Sequence, residues 1–80
     1  MTDIADNFLL DLGFLLREKA FAAKEQFHAA QTAEQREFHG GRYMAYYEVI
    51  SLMLSQAESF ELPVTKLALQ GIDAERDLIG

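Results

Sequence analysis

The chain contains no cysteine and no tryptophan, and a single proline in eighty residues. Without cysteine there is neither a disulfide nor a thiolate metal site, so nothing covalent staples the fold, and the chain fits a reducing compartment. Positive charge is also scarce. Seven Lys and Arg stand against thirteen Asp and Glu, a net charge of −6, and the basic residues are scattered along the sequence. A nucleic-acid binder gathers cations into a patch that displaces counterions from phosphate, and none is gathered here. The same negative balance argues against an anionic membrane surface. No apolar run approaches the ~20 residues of a membrane span. Asp3 and Asp6 stand where a secretory signal would carry Lys or Arg, so the expected location is cytoplasmic.

Half of the residues are hydrophobic and a quarter are charged, the balance of a folded, soluble domain. Eighty residues make one domain, residues 1–80, without repeats, linkers or low-complexity stretches. A core of that size supplies only roughly 3–5 kcal/mol. With disulfides excluded, oligomerisation is the reinforcement that remains.

From Asp3 to Ala30 the period is helical, with Leu, Ala, Glu, Lys and Gln dominant. Thr2 or Asp3 can cap its start, because a side-chain oxygen there accepts from the free amides of the first turn. Its main apolar face includes Phe8, Leu9, Leu12, Leu15, Leu16 and Phe27. A second, narrower stripe of Leu10, Phe14 and Phe21 runs down another side, with His28 in line. Two stripes predict two neighbours. Gly13 interrupts the helix at a cost of about 1 kcal/mol and marks a close contact.

The period breaks at Gln31, and Thr32-Ala33-Glu34-Gln35 has the spacing of a capping box. A second helix is expected from there through Phe60, bent or closely approached at Gly40-Gly41. A short loop between two long helices makes an antiparallel hairpin. Pro63 closes the second helix. Val64 to Gln70 is expected to form a short helix stopped by Gly71, and Asp73 to cap a last turn through Leu78, the whole acting as a lid over one end of the hairpin.

The most informative stretch is Tyr43 to Phe60, where hydrophobic residues cover an arc of roughly 220°, well beyond the roughly 100° that a surface helix of a monomer hides. The surplus predicts a second contact. The expected fold is all-α: a hairpin of two long helices plus a short C-terminal helix, dimerising into a four-helix bundle. The expected interface takes Phe14 and Phe21 from the first helix and Arg42, Tyr46, Tyr47, Ile50 and Met53 from the second. Arg42 falls inside the apolar arc, so it should find Glu18, Glu25 or a partner's carboxylate and fix the register of the contact.

Candidate chemistry is sparse. Glu25-x-x-His28 has the spacing that places a carboxylate and an imidazole on one helical face, as in di-iron carboxylate bundles. Pairing residue i roughly opposite 64 minus i would bring Glu37 and His39 toward it. Yet Glu25 shares its side with Asp11 and Glu18, the pattern of a solvated seam. Glu34-x-x-Glu37 belongs to the first turn after a cap, where acids favour the helix dipole, and Glu58-x-x-Glu61 straddles a helix end. The turn-like segment Ala68 to Asp73 leads into an acidic terminus that cannot read DNA. No phosphate loop or nucleophile arrangement is present. The function expected is therefore a non-enzymatic protein-interaction, adaptor or regulatory protein, homodimeric, with no cofactor. The alternative is a metal-binding helical-bundle dimer built on Glu25, His28, Glu37 and His39.

Overall fold

The computed structural model describes residues 3–79. Two long helices pack against each other, α1 over Ile4–Ala29 and α2 over Ala33–Ser59, and a short, irregular C-terminal segment lies against them. The side chain of Asp3 caps α1 by accepting from the Ala5 amide at 3.4 Å; Thr2, the other candidate, is outside the described residues. Among the described residues every element is helical.

The capping box forms, with one change. Thr32 Oγ1 accepts from the Gln35 amide at 3.1 Å, but Gln35 Oε1 reaches past Thr32 to the amide of Gln31, at 3.2 Å. Glutamine is long enough to bond one residue further back, so the pair ties the loop as well as the helix start.

The register of the hairpin differs from the expected one by about one helical turn. Phe27 stacks on Tyr43 with centroids 5.5 Å apart and seats its ring against Gly40, where a Cβ would come within 3.1 Å. Arg42 on α2 bonds Gln26 on α1. Gly40 suits this alignment, since a Cβ there would press the Phe27 ring back by a few tenths of an ångström.

After Phe60 the chain reverses through Glu61, which takes a left-handed φ of 55°, and Pro63. It then runs back alongside α1, in the direction of α1, instead of closing one end as a lid. A 3-10 turn spans Val64–Leu67 and a single wide turn spans Glu75–Ile79. The expected helix through Gln70 stops early: Ala68, with φ 55°, takes the left-handed position ahead of Gly71 at φ 79°. The carbonyls of Ala68 and Gln70 accept from the Arg17 guanidinium at 3.2 and 3.3 Å, and that of Asp77 accepts from Lys24 Nζ at 2.7 Å. A carbonyl turned toward α1 cannot also continue a helix.

The tail seats where α1 is smallest. Gly13 and Ala20 are buried beneath it, and a Cβ on Gly13 would lie 1.7 Å from the Leu67 carbonyl oxygen. This is the close contact that the glycine marked. Leu67, Leu69 and Leu78 of the tail join Ile50 and Ala57 in one buried cluster, and Phe21, Tyr43, Tyr46, Tyr47, Met53 and Leu54 pack around it. Burying a leucine contributes roughly 1.5–3 kcal/mol, so three of them make the tail a principal part of the core.

Candidate functional site

The tail covers one side of the hairpin, and the opposite side is bare. On α1, Ile4, Phe8, Leu12 and Leu15 recur at three- and four-residue spacing and are all exposed. On α2, Val49 and Leu52, with Phe60 at its C-cap, form the matching edge. Phe8 is 62%, Leu52 61% and Phe60 78% exposed, values at which a large apolar side chain meets water rather than protein. Between the two rows runs an open groove of about 450 Å³, lined by Leu9, Leu12, Leu16, Met53 and Ala57 and bordered by Leu62 and Leu67.

The helices produce this face for a simple reason. The apolar arc of α1 spans its contact with α2 and continues on both sides of it. The tail takes the side where Gly13 and Ala20 allow its backbone close, and the side carrying Phe8, Leu12 and Leu15 has no neighbour among the described residues. Sequence reasoning placed those three on the main apolar face of the first helix, and spacing alone does not say on which side of it a third element will pack.

The expected interface residues are divided by the structure. Ile50 is 0% exposed, enclosed by its own chain, and Phe21, Tyr46, Tyr47 and Met53 are half-buried around the same cluster. Ile50, Phe21, Tyr46 and Tyr47 belong to the internal core beneath or beside the tail, while Met53 packs on that core and also lines the groove. Phe14 is exposed, beside Leu10 and Ala68 in a shallow depression on another side of α1. Arg42 is half-buried but finds no carboxylate: its Nη1 donates to the amide oxygen of Gln26 at 2.6 Å, and its guanidinium lies 6.0 Å from the Phe38 ring centroid. A neutral acceptor and an aromatic face satisfy the cation without a partner chain.

Charge on the bare face is mixed, with Glu34 and Glu48 on or beside the Leu52 side of α2 by helical spacing. Lys19 and Arg42 lie on its half nearer the turn, while Asp11, Glu18 and Glu25 fall along the outer rim of α1 by helical spacing. Among the described residues the one ion pair is Arg76 with Asp77, in the tail. Asp77 also accepts from the Asp73 amide at 2.9 Å, and these bonds, led by that from Arg76, hold its carboxyl well below the usual range.

The residues of the metal-binding alternative are not brought together. The shifted register sets His28 beside Phe27 and Tyr43, with centroids 5.4 and 6.3 Å away, and Glu25 is exposed on the outer rim. His39 stands edge-on to Phe38 with a buried Nδ1 that has no hydrogen-bond partner. Among the described residues no group of three His, Asp or Glu is placed to hold a metal ion, and no helix is long and apolar enough to cross a membrane.

Comparison of the chain with protein-family models, with curated proteins and with solved structures gives no match.

What sequence reasoning missed is the role of Arg17 and Lys24. Both act through backbone carbonyls of the tail. A backbone acceptor leaves no signature in a sequence, so the two side chains read as dispersed surface cations.

Proposed function

We propose that this chain is a non-enzymatic interaction protein, an adaptor or small regulator of the cytoplasm, whose working surface is the bare face of the hairpin. The observation that carries the reading is the row of Phe8, Leu52 and Phe60, each more than half exposed beside an apolar groove. The largest apolar patch of an ordinary monomer is about 300–600 Å² and is often functional. The side chains here offer more. Leaving them in water lowers solubility with nothing gained, whereas covering them with protein releases roughly 25 cal/mol per Å² before the costs of association.

A photo-crosslinking amino acid at Leu52, compared with one at Ser55 on the polar side of α2, tests the proposal in cells. The expected outcome is a protein adduct at position 52 and none at 55. No adduct at either site, or equal adducts at both, contradicts it.

A further inference from the structure

Resting on that reading of the bare face, we infer that its occupant is a second copy of this chain, laid across it so that the two hairpins overlap at their open ends and their turns point apart. The first argument is area. Phe8 and Phe60, at 62% and 78% exposure, together offer roughly 300 Å². Ile4, Leu12, Leu15, Val49 and Leu52 bring this half of the face to on the order of 800 Å², which is what one partner contributes to a standard stable interface. A chain of eighty residues with a small core gains most from a partner that is always present at its own concentration.

The second argument is charge, and it sets the orientation. The large apolar residues crowd the half of the face away from the turn, whereas the other half carries Lys19, Gln26 and Arg42 with small Ala22 and Ala45. Hairpins stacked with their turns together would set Lys19 level with Lys19 of the other copy and, about two turns nearer the loop, Arg42 level with Arg42. Four cations would then line a partly dried seam, with Glu34 and Glu48 of α2 about two turns from Arg42 along the helix and Glu18 and Glu25 kept to the outer rim. With the turns apart, the two-fold axis passes near Leu12, the apolar halves cover each other, Arg42 stays outside the overlap, and Lys19 lies at its edge, where its long stem carries the ammonium to water. Phe38, the large apolar residue of the turn half, is already flanked by the Arg42 guanidinium. The product is a short four-helix bundle with a hairpin turn projecting from each end.

The absence of cysteine makes the test clean, because one introduced cysteine carries one label. A nitroxide at Gln31→Cys, in the loop between α1 and α2, reports the distance between turns in the full-length chain at micromolar concentration, and sedimentation equilibrium reports its mass. At about 1.5 Å per residue the inference predicts twice the chain mass and labels about 55 Å apart, against less than about 30 Å for coincident turns. Phe8→Glu and Leu52→Glu are each expected to weaken self-association on the order of 100-fold while leaving the helical circular dichroism intact. A wild-type monomer overturns the second copy as occupant, leaving the interaction reading to the crosslinking result. A dimer with close labels overturns the orientation, and a dimer indifferent to both substitutions overturns the choice of face.

Discussion

Two glycines with opposite surroundings make the sharpest contrast among the side chains. Gly13 lies against the backbone of Leu67, and a backbone cannot swing aside as a side chain does; a methyl group there, 1.7 Å from the carbonyl oxygen, must lift the tail. Gly41 sits in the middle of α2 with nothing within 4 Å of an added Cβ. Gly13→Ala is therefore expected to lower the melting temperature and expose the tail to protease, although alanine is the better helix former. Gly41→Ala should stabilise by about 1 kcal/mol through helix propensity alone. Thermal unfolding of the two variants checks both signs. A second pair separates the core from the bare face. Ile50→Ala, at a fully enclosed position, should cost about 2–5 kcal/mol. Leu52→Ala, two residues on and mostly exposed, should cost less than about 1 kcal/mol when the protein is dilute. Denaturant titrations read the difference.

The tail is the element on which the fold turns, and its grip is partly electrostatic. Asp77 accepts from Arg76 and from the Asp73 amide, Arg76 also donates to the Gly71 carbonyl at 3.1 Å, and Lys24 reaches the Asp77 carbonyl from α1. Because folding lowers the Asp77 pKa, its contribution is fully present above the ordinary value of 3.8 and is lost as the pH falls below it toward the folded value. Acid titration followed by the methyl resonances of Leu78 should show the tail loosening in that window, and Asp77→Asn should loosen it at neutral pH. A titration in which Leu78 holds its shift until the whole fold is lost would contradict this. How far these elements could be read in advance follows from where their signals lie. Asp3, Thr32 and Gln35 announce the helix boundaries through local side-chain chemistry, and the boundaries fall within a residue of expectation. The register does not announce itself, since it depends on the Phe27 ring finding Gly40 across the hairpin. The course of the tail is equally silent, being set by carbonyls that any residue would supply.

The width of the apolar arc on α2 signalled that two long helices would not cover each other, and the structure divides that surplus in two. The tail takes Ile50, Tyr47 and Leu54, while Val49, Leu52 and Phe60 remain outside with Phe8, Leu12 and Leu15 of α1. Part of the surface expected to meet another molecule is thus buried within the chain, and part of the main apolar face of α1 is bare. Periodicity measures how much must be covered; only packing decides by what. Hydroxyl-radical footprinting of the phenylalanines across a dilution series tests the central claim most directly, because ring oxidation reports the accessibility of Phe8, Phe21, Phe38 and Phe60 in one experiment. Phe21 should be slow throughout, and Phe8 and Phe60 should be fast when dilute and become protected as concentration rises, while Phe38 near the turn stays reactive. Phe8 and Phe60 slow at every dilution in a monomeric chain, or equally fast at every concentration, would contradict the account.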